Sequence, residues 1–441
     1  MWRNNSNWKF NRTTYSLPES FASVPVPTTA SGFKKFMAFV GPGLMVAVGY
    51  MDPGNWATDI AGGSSFGYTL LSVILISNLF AILLQHLCVK LGVVTGRDLA
   101  QACKDLYSKP LSFFLWIICE IAIAACDLAE VIGSAIAINL LFGIPLTVGI
   151  IITILDVLVL LMLQNKGFRY LEAFVGSLIF IIFCCFAYEL AISKPHIASV
   201  IYGLIPQKEI LTNGDMLYIA IGILGATVMP HNLYLHSSIV QTRNYERNDD
   251  GKKQAIKYAT IDSTVSLLMA FFINAAILIL AASAFHYNGH KDVADINDAY
   301  RLLEPVLGVK FASIFFAIAL LASGQNSTLT GTLAGQIVME GFLNIRLKPW
   351  LRRLITRLIA VVPALIVSIL YGEDGTGKLL VLSQVILSLQ LSFAVVPLLQ
   401  ITGNKTKMAQ FANSNLLNSI AWLIALIIIV LNGVMLWNTF F

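Results

Sequence analysis

The chain has 441 residues, 57% hydrophobic and only 12% charged, with a net charge of +5 and a mean hydropathy of +0.76. An ordinary globular domain carries about 25% charged residues. Soluble enzymes, nucleic-acid binders, secreted disulfide scaffolds and disordered chains are therefore excluded. What remains is an all-α polytopic membrane protein, because lipid offers no partner to exposed backbone polar groups.

Residues 1–35 are polar and hold no apolar core of a signal peptide, so they read as a mobile cytoplasmic tail. A bilayer core of about 30 Å takes roughly 20 apolar residues per helix. Eleven stretches qualify: 36–66, 69–93, 111–140, 146–164, 170–192, 214–240, 259–286, 308–342, 354–371, 379–401 and 414–438. With the N-terminus inside, 23 of the 29 Lys and Arg fall on the cytoplasmic side. Lys194, Lys208, Lys291, Arg301, Lys310 and Lys378 remain outside. This bias predicts a cytoplasmic N-terminus and an extracytoplasmic C-terminus. Six cysteines form no CxxC pair and read as small buried hydrophobes.

Two spans are interrupted alike. The first carries Asp52-Pro53-Gly54-Asn55 and the sixth Met229-Pro230-His231-Asn232. Each proline removes a backbone donor and clashes with the preceding turn. Broken helices at membrane depth survive only where protein or a wet cavity covers them. Five spans separate the two breaks, so the second copy enters the membrane the other way up. The pairing predicts inverted repeats over 36–192 and 214–401, joined by an extracellular link at 193–213. Residues 402–441 then add a link and an eleventh helix. Matched interruptions of this kind point to a transporter's central site.

Candidate ligands gather at the breaks: Asp52, Asn55 and the carbonyl of Gly49 at the first, Met229 and the carbonyl of Ala226 at the second. A carboxylate at the bilayer midplane costs about 3 kcal/mol or more unless paired or ligated. Asp52 therefore wants a cation or a proton. Methionine in an apolar helix ordinarily packs, but here it directly precedes the proline of a break. A thioether beside oxygens suits divalent transition metals better than Mg²⁺ or Ca²⁺.

The third span holds Glu120, Asp127 and Glu130, whose spacing places them on one helical face. They read either as structural partners of a basic helix end or as a proton relay. His231 lies inside the second break and His236 beyond it. Each is a candidate for proton exchange, though buried histidines are commonly structural. Asp59, Asp156, Glu189 and Asp262 carry no assignable role.

The segments GPGLMVAVGYMDPGNWATDI and GATVMPHNLYLHSS resemble the two signature segments of the natural resistance-associated macrophage protein (Nramp) family. ASGQNSTLTGTLAGQIVMEGFL resembles its eighth-span transport segment, and the likeness runs from about residue 36 to 401. The resemblance implies a LeuT-like fold with two five-helix inverted repeats. It implies that Asp52, Asn55 and Met229 are metal-binding side chains, with Ala226 and Gly49 giving carbonyls. The family often has alanine where Gly49 stands. It also implies a tenth-span ligand at Gln384, proton roles for Asp127 and Glu130, and a pairing arginine at Arg357, with Arg353 second. Relatives that move magnesium or aluminium lack the methionine.

The resulting expectation is a secondary active transporter, not an enzyme. It imports Mn²⁺, with Fe²⁺ and other divalent metals, coupled to protons by alternating access. No cofactor is expected beyond the transported ions. Partners are divalent metal ions, protons and the lipid bilayer, with no nucleic acid, and the unit is a monomer in the plasma (inner) membrane. The alternatives are a LeuT-fold symporter for an organic substrate and a divalent-cation channel.

Overall fold

The computed structural model describes residues 15–27, 32–155, 166–293, 295–309, 311–345 and 349–440. Eight of the described helices are long and apolar enough to cross a bilayer, and one bent pair makes a ninth crossing. The bent pair, Gly32–Met51 with Pro53–Phe66, is the first span; its halves meet at 50°. Leu71–Thr95, Lys109–Phe142 and Phe168–Ser193 are the second, third and fifth. Gly214–Thr242, Asp249–Asn288 and Ala312–Leu343 are the sixth to eighth, and Asn415–Trp437 is the eleventh. The shorter apolar helices Leu146–Leu155 and Arg357–Leu370 lie where the fourth and ninth are expected. Residues 156–164 of the expected fourth span, with Asp156, lie outside the described residues.

The tenth span departs from expectation. The backbone is helical from Pro349 to Thr402 without interruption, where sequence predicts a non-helical link at 372–378. At 1.5 Å per residue the helical path along this element, which carries Pro363 and Pro397, is about 81 Å. That is more than twice the hydrocarbon thickness of about 30 Å, so it is more than a single crossing. Its apolar stretches, Arg357–Leu370 and Leu379–Thr402, flank the polar run.

Packing concentrates around the breaks. The third span lies along both the eighth span and the Pro349–Thr402 helix. Trp56, fully buried, meets Phe186 edge-on at 4.9 Å and Phe316 at 5.1 Å. Its indole N–H donates to the Met51 carbonyl at 3.2 Å. One side chain thus ties the restarted half of the first span to the fifth and eighth. Gly41 has φ 136°, which favours glycine, and a Cβ there would strike the Glu172 carboxyl. Asp262 accepts from the N–H of Gly41 at 3.3 Å and of Gly43 at 2.7 Å. It is therefore a structural cap on the first span.

Part of the amino-terminal segment is docked rather than loose. Val24–Pro25 pairs in parallel with Arg243–Asn244 just past the sixth span. Leu17 is buried in the main apolar core. The Ser16 and Ser238 hydroxyls share a hydrogen bond of 2.6 Å, and Gln336 of the eighth span donates to Glu19 at 2.8 Å. The guanidinium of Arg247 lies 5.2 Å from the Phe21 ring and 4.1 Å from the Tyr245 ring. The expected mobility does not hold for residues 15–27: apolar side chains in this polar run find a groove at the end of the bundle.

Candidate metal site

The first break begins where helix Pro42–Val48 tightens into a 3₁₀ turn at Gly49–Met51. Asp52 is extended (φ −70°, ψ 165°) and caps the helix that restarts at Pro53. Its Oδ1 accepts from the Asn55 N–H at 2.8 Å. Its Oδ2 is buried with no hydrogen-bond partner. Asn55 donates its Nδ2 to the Tyr50 carbonyl, and its Oδ1 is likewise buried without a partner. Asn274 holds the same Tyr50 carbonyl at 2.7 Å, and Ser323 donates to that of Met51. Pro53 has no N–H to return to the Gly49 carbonyl four residues back.

The second break is built alike. Val228 (ψ 72°) and Met229 (ψ 123°) leave the helical region between Gly214–Thr227 and Pro230–Ile239. Pro230 offers no N–H to the Ala226 carbonyl. The sixth span bends by no more than 40° at its break, whereas the halves of the first meet at 50°.

Three close approaches join the breaks. A Cβ on Gly49 would sit 2.2 Å from Nδ2 of Asn232 and 3.0 Å from its Cγ, so the two interrupted spans touch there. A Cβ on Gly54 would sit 1.7 Å from Nε2 of Gln384. One on Gly225 would sit 2.4 Å from the Gln384 carbonyl oxygen. Gln384 therefore lies against both broken spans, and its Oε1 is buried without a partner. Met229, fully buried, packs with Ala122 and Cys126 of the third span and Leu387 of the tenth.

The acids of the third span separate by environment. Asp127 meets Arg357 at 3.6 Å, and both are buried. Arg357 also reaches the Thr153 carbonyl at 3.3 Å. The side chain of Arg353 lies outside the described residues. Glu120 accepts from the Trp116 indole at 2.9 Å. With Asp127 it lines a cavity of about 260 Å³ that also touches Ile359. Glu130 is fully buried against Gly331 of the eighth span. Its Oε1 lies 3.5 Å from the Cys126 sulfur, and its Oε2 has no partner. A Cβ on Gly133 would strike Pro53 at 2.2 Å, so the turn after Glu130 supports the first break.

Both histidines are buried. His231 places Nε2 3.8 Å from the Cys126 sulfur. His236 shares a 2.9 Å hydrogen bond with Gln85, which donates to the Tyr50 hydroxyl at 2.8 Å. Glu189 is buried with neither carboxyl oxygen partnered. Sequence reasoning passed over Asn232, Cys126 and Gln85. For Asn232 the signal was present, since the Pro-x-Asn pattern pairs it with Asn55.

Among the described residues, no three His, Cys, Asp or Glu side chains gather as a metal cluster. A cation held here would take one carboxylate, amide oxygens, carbonyls and a thioether. Gly49→Ala tests the contact between the breaks. Forcing a methyl into packed space costs about 1–3 kcal/mol, so the variant is expected to unfold at lower temperature. Adding Asn232→Ala is expected to recover the loss; an unshifted melting curve for Gly49→Ala would refute the contact.

Residues 43–438 match the family described as natural resistance-associated macrophage protein-like. The divalent metal cation transporter MntH of Nostoc sp. is 63% identical over 95% of each chain. The manganese transporter of Eremococcus coleocola, a solved structure, has a TM-score of 0.88 at 42% identity. It covers 95% of this chain and 90% of that one. Mhp1, a nucleobase-cation-symport-1 family transporter, has a TM-score of 0.60 at 14% identity, covering 94% and 95%; this likeness concerns the fold alone. The fold is LeuT-like, and these relatives are described as transporters rather than enzymes. A multi-pass bundle with two touching helix breaks, matched to the family model over nearly its whole length, belongs to the natural resistance-associated macrophage protein-like family.

Proposed function

We propose that the chain is a secondary active importer of divalent transition metal ions. Mn²⁺ is its main cargo, Fe²⁺ a second, and protons move inward with them by alternating access. One observation carries the reading. The buried oxygens Asp52 Oδ2, Asn55 Oδ1, Asn232 Oδ1 and Gln384 Oε1, all at the two breaks, have no hydrogen-bond partner. Leaving a buried acceptor unmade costs roughly 1–3 kcal/mol, so a row of them is explained by a cation that uses them. A thioether from Met229, at the second break, would favour transition metals over Ca²⁺ and Mg²⁺.

The proton route is read along Glu130, Asp127, Arg357 and Glu120, with His231 and His236 of the sixth span as further candidates. Spans one to five and six to ten act as inverted repeats, and their half-helices rearrange around the site. The protein works as a monomer in the plasma membrane with its N-terminus in the cytoplasm. The names of the relatives support the cargo class, and the charge bias supports the orientation.

The test is Mn²⁺ uptake by proteoliposomes loaded with a pH dye. Importer function requires Mn²⁺ entry accompanied by internal acidification and accelerated by an inward proton gradient. Entry without acidification would favour the channel alternative, and no entry would refute metal transport. Met229→Ala is expected to weaken exclusion of Ca²⁺ more than it slows Mn²⁺. An unchanged Ca²⁺ competition profile would reduce the thioether to packing.

A further inference from the structure

We infer that Cys126 is a second sulfur donor of the transport site, used by thiophilic cations such as Cd²⁺ and dispensable for harder ones. The assignment rests on the metal-transport reading above. The Cys126 sulfur shares one buried cluster with Met229, Ala122 and Leu387. The sulfur's polar neighbours are Glu130 Oε1 at 3.5 Å and His231 Nε2 at 3.8 Å. Both residues are at least nine-tenths buried, and each keeps a further atom, Glu130 Oε2 and His231 Nδ1, without a partner.

The chemistry follows from that placement. A thiol binds a soft cation as its thiolate, so the S–H proton must leave as the S–Cd bond forms. Glu130 Oε1 stands where it can take that proton, and His231 Nε2 is the alternative acceptor. No oxidant or reductant is needed. Thiolate and Asp52 carboxylate together neutralise a dication, and Met229 adds a neutral sulfur. Soft ligands select by metal type: such a set holds Cd²⁺ tightly and gives little to Mn²⁺, which prefers oxygen. The residue therefore sets which ions block the transporter as well as which pass.

The test uses purified full-length protein in a Cys184→Ser background, because Cys184 is exposed. Titration with Cd²⁺ alone is expected to raise the ultraviolet thiolate-to-cadmium charge-transfer band, and excess Mn²⁺ to remove it. Cys126→Ser is expected to abolish the band, and Met229→Ala to keep it. The Cd²⁺ concentration that halves Mn²⁺ uptake is expected to rise about tenfold in Cys126→Ser. X-ray absorption at the cadmium edge supplies a reading that needs no variant: two sulfurs are expected around the ion. A single sulfur, or a band that survives Cys126→Ser, overturns the assignment. The metal-transport reading fails separately, on Mn²⁺ uptake by the unmodified protein.

Discussion

Asp52→Ala is expected to reduce Mn²⁺ uptake into proteoliposomes to the level of empty vesicles. Oδ1 of Asp52 caps the restarted helix, while Oδ2 is buried and unpartnered. Alanine removes both functions. Losing the cap costs about 1 kcal/mol of stability. Losing the anionic oxygen that Asp52 offers to a buried dication costs at least about 3 kcal/mol of binding. Since each 1.4 kcal/mol is a factor of ten, uptake should fall roughly a hundredfold or more. Asp52→Asn separates the two effects. Its amide oxygen still accepts from the Asn55 N–H, so the protein should melt near the wild-type temperature while uptake is lost. Uptake at the wild-type rate in Asp52→Asn would show that the carboxylate does not meet the ion.

Arg357→Met should have the second largest effect, and on stability first. Arg357 is 2% exposed and Asp127 4%. Removing one partner of a buried pair strands the other, at a cost of about 3–5 kcal/mol. The Thr153 carbonyl loses its donor as well. The melting temperature of Arg357→Met should fall clearly, and combining it with Asp127→Asn should recover part of the loss. In vesicles, the variant that folds should move less acid per Mn²⁺, read with the internal dye. A melting curve unchanged by Arg357→Met would mean that the pair is not held in the folded protein.

What could be read in the sequence was local. Long apolar runs announce spans, and a proline inside one announces a break. Asp52, Asn55 and Met229 stand beside those prolines, so residue type and position alone mark them. The acids of the third span share a face through simple periodicity, and the structure places two of the three in buried surroundings. What escaped was set by partners distant in the chain. Asn232 matters because it fills the space that Gly49 leaves, and no local pattern announces that contact. Cys126 looked like any small buried residue until Met229 and His231 were placed beside it. The helical continuity through 372–378 ran against a glycine-bearing, polar run that reads as a link.

The pairing of Val24–Pro25 with Arg243–Asn244 has a mechanical consequence. Any swing of the sixth span's far end must either drag this amino-terminal ribbon along or unzip it. Unzipping uncovers Leu17 and Val24, at a hydrophobic cost of roughly 1.5–3 kcal/mol for each side chain. The ribbon is thus a spring in series with that helix. A fluorophore in place of the exposed Tyr15 would report the helix's movement.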